Sequence, residues 1–170
     1  LIVETGYLHE PERVELIPGA GEAVRRLAEK GFDLFIVTNQ AGIGRGYFTE
    51  QQMHATNERV CEEFTKFGVT FQKIYFAPEP PSQPSRNRKP SPQMILDARD
   101  EFGIDLTASY MIGDKALDVE CGTNAGVKQS ILLRTGYGRE HESQLGQAHQ
   151  PFAVTDTLAE AATLILSQAE

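Results

Sequence analysis

Asp114 and Asp118 stand four residues apart, just after Gly113 at the end of the apolar run Tyr110-Met111-Ile112. If a helix opens at that glycine turn, residues i and i+4 share a face and the two carboxylates point the same way. Carboxylates at the carboxyl end of a strand in an α/β sheet occupy the place where such folds bind ligands. Oxygen ligands with room left for water suit Mg²⁺. The competing reading makes Asp114 a helix cap and Asp118 a solvated acid of the first turn. Two further segments add chemistry of the same kind. Val37-Thr38-Asn39-Gln40 puts a hydroxyl, that of Thr38, at the end of an apolar run and before the glycine-rich stretch at 41–46. Backbone amides in such a stretch can cradle an anion, although a plain turn ended by Thr explains the same residues. Asn87-Arg88-Lys89-Pro90 precedes a helix signal. There Lys89 can act as a point charge on phosphate and Arg88 as a planar fork for a phosphate or diol; a solvated basic turn is the alternative. Hydroxyl, lysine and metal carboxylates, each after a strand, make up a phosphoryl-transfer site.

These groups need a sheet to hold them. Apolar strand runs at 33–38, 72–76, 109–112, 130–133 and 152–154 alternate with helical patterns at 20–30, from 50 to about 67, from 92 to about 102, at 116–124 and through 166. The first helix stops at Gly31, and Thr49 with Gln52 forms a capping box for the second. Ser91 is read as the cap of the third, with Pro92 at its first position. Thr155 or Thr157 caps the last. The run Leu34-Phe35-Ile36-Val37 is continuous enough for a strand covered on both faces. Such a βαβα order predicts an α/β fold with a parallel sheet between two helical layers. The stretches 77–90 and 135–151 are read as loops, and the length of the first marks it as functional or ordered by something else.

The 170 residues and net charge of −8 fit one folded domain spanning 1–170 and argue against a nucleic-acid partner. No apolar run approaches the ~20 residues of a membrane span. No signal peptide opens the chain. Cys61 and Cys121 both fall in helical patterns and read as small buried groups, which fits a reducing cytoplasm. Oligomeric state leaves no mark in the sequence, and a monomer is the default reading.

Thr38, Lys89 and Asp114 with Asp118 match, in order and spacing, the second, third and fourth motifs of the haloacid dehalogenase (HAD) superfamily of phosphohydrolases. Longer stretches, Gly6-Tyr7-Leu8-His9-Glu10, 37–46, Arg88-Lys89-Pro90, 108–115 and Arg134-Thr135-Gly136, resemble its family of heptose-bisphosphate and histidinol-phosphate phosphatases. The resemblance implies a Rossmann-like three-layer domain without a large cap. It implies a Mg²⁺-dependent phosphomonoesterase acting on a phosphorylated sugar. Thr38 and Lys89 would stabilise the transferring group, and Asp114 with Asp118 would serve the metal. Glu4, Thr5, Gly6, Tyr7, Asn39, Gln40, Ala41, Arg88 and Lys115 would contact substrate. A heptose bisphosphate is the favoured substrate, histidinol phosphate the alternative, and a sugar-phosphate-binding module without catalysis the reading from another class.

Two departures from the family pattern stand out. Its first motif, Asp-x-Asp-Gly-Thr, carries the attacking aspartate, and no Asp precedes Asp33 here. The resemblance places that motif and its central strand just before Leu1, so the chain is read as lacking its first strand. The zinc loop of many relatives would fall on Ala77, Glu79, Ser85 and Asn87, which are no zinc set, so no zinc is expected. Tyr137, between Gly136 and Gly138, lies in a segment that could border the site, and loop filler is the preferred reading.

Overall fold

The computed structural model describes residues 1–3, 5–145 and 152–169. Within it the chain divides into two compact units, Leu1–Ser85 and Arg86–Ala169.

The first unit opens with an antiparallel bridge, Ile2 to Leu16, where the Val3 amide donates to the Glu15 carbonyl at 2.9 Å. Helix α1, Ala20–Glu29, buries Ala20, Ala23, Val24 and Leu27, the stripe expected of an amphipathic helix. Strand β1, Phe35–Asn39, pairs in parallel with β2, Lys73–Ala77, setting Thr38 beside Phe76 and Asn39 beside Ala77. Between them lie a short helix α2, Ala41–Gly44, and the longer α3, Glu50–Thr65. Thr49 caps α3 as its sequence requires: its Oγ1 accepts the Gln52 amide at 3.2 Å, and Gln52 Oε1 accepts the Thr49 amide at 2.8 Å. Met53, Val60 and Phe64 of α3 are buried.

The second unit carries α4, Gln93–Phe102; β3, Tyr110–Gly113; α5, Ala116–Ala125; β4, Gln129–Leu133; α6, Gly138–Glu142; β5, Phe152–Thr155; and α7, Leu158–Gln168. The strands lie in the order β3-β4-β5, all parallel, as the alternating pattern predicts. Ile131 and Leu132 of β4 are wholly buried. Helix α5 sits close on this sheet because Gly122 lets it. A Cβ there would lie 2.3 Å from Ser130 Oγ and 2.6 Å from Met111 Cβ. Ser130 Oγ in turn donates to the Val119 carbonyl at 3.1 Å.

Several local expectations shift. Helix α4 starts one residue later than expected, with Pro92 as its cap; Ser91 Oγ still accepts the Gln93 amide, at 3.3 Å. Strands β1 and β2 start later than expected, at Phe35 and Lys73, and each ends one residue further, where their ladder continues to Asn39 and Ala77. The α6 helix occupies part of the stretch read as loop. At the other end, Thr157 rather than Thr155 caps α7, taking the Glu160 amide at 3.2 Å.

Candidate active site

The second unit assembles its chemistry at the carboxyl end of β3. Asp114 follows the last residue of that strand, and α5 begins only at Ala116. Lys115 between them is extended, with φ −122° and ψ 149°. The shared helix face expected for Asp114 and Asp118 is therefore absent: Asp114 lies outside the helix, where the 3.6-residue period does not apply.

The two carboxylates consequently have different partners. Asp118 is buried, and Lys89 Nζ lies 2.6 Å from its Oδ1. Its Oδ2 accepts the Lys115 amide at 3.0 Å, closing the N-terminus of α5. Both oxygens are thus engaged by this chain's own groups. Gly113 is small for the same reason, since a Cβ there would meet Asp118 Oδ2 at 2.2 Å. Asp114 is half-buried. Its Oδ2 accepts the Tyr137 amide at 3.0 Å, and among the described residues its Oδ1 takes no hydrogen bond. An anionic oxygen left open at a strand end is a fitting ligand for a hard cation. Among the described residues no three His, Cys, Asp or Glu side chains cluster as a metal cage. Mg²⁺ commonly takes one or two carboxylates and completes its shell with water and substrate phosphate, so Asp114 fits as one ligand of such a shell.

Helix α5 also fixes the segment that carries Lys89. Cys121 Sγ donates to the Ser91 carbonyl at 3.2 Å, and Asn124 Nδ2 donates to the Pro90 carbonyl at 3.0 Å. Asp118, Cys121 and Asn124 recur every three residues and form one helical face gripping residues 89–91. Burial pushes the Cys121 thiol up to about 11, opposed by the Lys89 charge and aided by Asp118. The Lys89–Pro90 peptide is cis. Arg88 precedes it, half-buried, and its carbonyl accepts the Ser91 amide at 3.0 Å.

Lys115 is placed by a contact that its sequence neighbourhood does not announce. Its Nζ lies 4.6 Å from the centroid of the Tyr137 ring. Tyr137, read from sequence as loop, therefore touches both Asp114 and Lys115. The signal for it was faint: a tyrosine between Gly136 and Gly138.

The first unit holds the other expected contacts. Thr38 Oγ1 accepts from Gln40 Nε2 at 3.3 Å, and the Gln40 amide donates to the Ala77 carbonyl at 2.8 Å. Asn39 ends β1, and Ala41 opens α2. The Ile43 and Gly44 amides are used by the Gln40 and Pro78 carbonyls, so those two do not serve an anion nest. Thr5 and Gly6 are exposed, and Glu4 lies outside the described residues. Gly6 at φ 67° and Tyr7 at φ 48° are consecutive left-handed residues that turn the Tyr7 ring outward. Its hydroxyl accepts from Arg45 Nη1 at 2.6 Å, and its ring meets the edge of Tyr47 at 4.9 Å between centroids. A bulky residue at positive φ is strained, and such strain gathers at functional sites.

An HAD-hydrolase-like family model matches residues 86–161. The D-glycero-beta-D-manno-heptose-1,7-bisphosphate 7-phosphatase of Yersinia pestis is 41% identical over 141 residues, covering 79% of this chain and 75% of that protein. The corresponding enzyme of Chlorobaculum tepidum is 40% identical over 171 residues, covering 92% and 84%. Among solved structures, a D,D-heptose 1,7-bisphosphate phosphatase from B. bronchiseptica, complexed with magnesium and phosphate, superposes with a TM-score of 0.90. Its sequence is 26% identical, and the match covers 98% of this chain and 93% of that one. Given identity of this level over most of both sequences, the chain belongs to the heptose-1,7-bisphosphate 7-phosphatase family of HAD-like hydrolases.

Proposed function

We propose that this protein is a Mg²⁺-dependent phosphatase that releases the 7-phosphate of a D-glycero-D-manno-heptose 1,7-bisphosphate. The observation that carries the reading is the 2.6 Å Lys89–Asp118 ion pair, largely shielded from solvent, in the same unit as Asp114, whose Oδ1 takes no hydrogen bond among the described residues. Lys89 and Thr38 act on the transferring phosphoryl group, the first as a charge and the second as a hydroxyl donor. When bound, Mg²⁺ supplies positive charge against the phosphoryl oxygens, and Asp114 is the residue that holds it. Asp118 is read as the residue that holds Lys89 in place. Arg88 and Lys115 meet the part of the substrate that does not react, and Tyr7, Asn39, Gln40 and Ala41, with Glu4, Thr5 and Gly6, line its sugar. Ser85 Oγ donates to Glu79 Oε2 at 2.7 Å, a direct bond that can order the 77–87 loop in place of zinc. Among the described residues no helix is long and apolar enough to cross a membrane; the protein is read as a cytoplasmic monomer.

The test is a substrate panel with the full-length encoded protein and Mg²⁺. Phosphate release from heptose 1,7-bisphosphate should exceed that from histidinol phosphate by at least tenfold in kcat/KM. Preference for histidinol phosphate would move the assignment to that enzyme. Binding of the bisphosphate with no turnover would make the protein a binding module.

A further inference from the structure

We propose that Tyr137 is a positioning residue, holding the Lys115 ammonium on its ring so that the charge stays available for the unreactive end of the substrate. This rests on the phosphatase reading only in naming what Lys115 meets. Among the described residues no carboxylate lies within ion-pair distance of Lys115. That is unexpected in a chain carrying 24 acids against 16 lysines and arginines, with Asp114 adjacent in sequence. Asp118 is taken by Lys89, and Asp114 Oδ2 is taken by the Tyr137 amide. An aromatic face can hold an ammonium without neutralising it. A carboxylate partner would instead compete with an incoming phosphate.

The segment around Tyr137 is built to keep that ring still. Gly136 has φ 58°, and a Cβ there would stand 2.2 Å from Asp114 Oδ2, so the backbone lies directly against the carboxylate. Gly138 has no room for a Cβ either, since one would overlap the Leu133 carbonyl oxygen at 1.6 Å. The Tyr137 carbonyl accepts the Glu140 and His141 amides, each at 3.1 Å. His141 meets the Tyr137 ring edge-on at 6.3 Å between centroids. Arg134 closes the segment with two bonds to Glu142, at 2.7 and 2.8 Å. The Tyr137 hydroxyl has no hydrogen-bond partner among the described residues, so it is the ring face, not the phenol, that does the holding.

The variants that separate these ideas are Tyr137→Leu and Tyr137→Phe in the full-length enzyme. Tyr137→Leu should raise KM for heptose 1,7-bisphosphate about three- to tenfold, with kcat changed less than twofold and the Mg²⁺ requirement unmoved, because the backbone amide on Asp114 remains. Tyr137→Phe should restore the parent KM. In a Lys115→Met background Tyr137→Leu should add nothing. A proton NMR readout stands apart from substrate altogether. The Lys115 ε-methylene resonance should be shifted upfield by the ring in the parent and in Tyr137→Phe, and return to its ordinary position in Tyr137→Leu. Loss of that shift in Tyr137→Leu with no change in KM would overturn the substrate part of the proposal while leaving the contact. Absence of the shift in the parent would overturn the contact itself. An effect of Tyr137→Phe as large as that of Tyr137→Leu would assign the role to the hydroxyl and refute the ring argument. If the parent turns over no phosphorylated sugar, the phosphatase reading fails, and the NMR result still decides the contact.

Discussion

Replacing Asp118 by Asn tests whether that carboxylate serves Lys89 or a metal. Two bonds end on it, from Lys89 Nζ at 2.6 Å and from the Lys115 amide at 3.0 Å. Asn keeps one acceptor oxygen and turns its NH₂ toward the other donor, so one bond becomes a donor–donor contact. Lys89 then loses the Asp118 anion while its side chain is only 12% exposed. Breaking a buried pair by removing one partner costs about 3–5 kcal/mol, and the slight exposure here argues for the lower end, about 3 kcal/mol. A domain of this length loses about 2–4 °C of Tm per kcal/mol, so the expected drop is about 6–12 °C. The measurement is thermal unfolding in EDTA, which takes metal out of the comparison. A carboxylate that serves only a metal would behave oppositely under those conditions, because losing a like charge near Asp114 relieves repulsion and leaves Tm level or higher. The cycle is completed with Lys89→Met. The double variant should lose less than the two single changes added together, by about 1–3 kcal/mol, since the two side chains share one contact that each single change already removes. A Tm change under about 2 °C for Asp118→Asn, or strict additivity in the cycle, would refute the pairing.

Three other outcomes follow from the same geometry. Gly136→Ala combines a positive φ with a Cβ 2.2 Å from Asp114 Oδ2, so it should weaken Mg²⁺ binding about tenfold or more in a calorimetric titration, and an unchanged affinity would take Asp114 out of the metal set. The Cys121 thiol is raised from 9.0 to about 11 by burial, so the native protein should resist thiol reagents at pH 8 at that position. Because the folded state keeps this proton longer than the unfolded state, the stability it contributes is intact below pH 9.0 and lost as pH rises toward about 11, which urea midpoints for Cys121→Ala against the parent will show. Arg134 holds the Glu142 carboxyl below its usual 4.5 chiefly through their hydrogen bond, so that contribution is present above pH 4.5 and fades as pH falls through the lowered value. Arg134→Met should flatten this acid limb in urea titrations, and an unaltered limb would show the clamp to be absent in solution.

How far the site was legible in sequence depends on the range of the forces that build it. The parallel strands and helices were readable because local periodicity and caps set them; the Thr49–Gln52 box is one such case. Thr38 and Asp114 stand where the apolar runs placed them, Thr38 next to last in β1 and Asp114 just after β3. The partner of Asp118 was not legible. Lys89 lies 29 positions upstream, a separation over which sequence pattern gives no contact. The aromatic supports were further out of reach. Lys115 finds Tyr137 across 22 positions, and Arg45 finds Tyr7 across 38. Neither cation has a carboxylate partner among the described residues. Most arginines of the acidic chain do have one: Arg13, Arg25, Arg59, Arg86, Arg99 and Arg134 all sit in ion pairs, several within one helical turn. Short-range pairing of that kind is what acidic composition predicts. A cation seated on tyrosine instead runs against it, and a charge kept available near a phosphate site is worth more to an anionic ligand than one already neutralised. Contacts of this kind between residues far apart in sequence become visible only once the fold has brought them together.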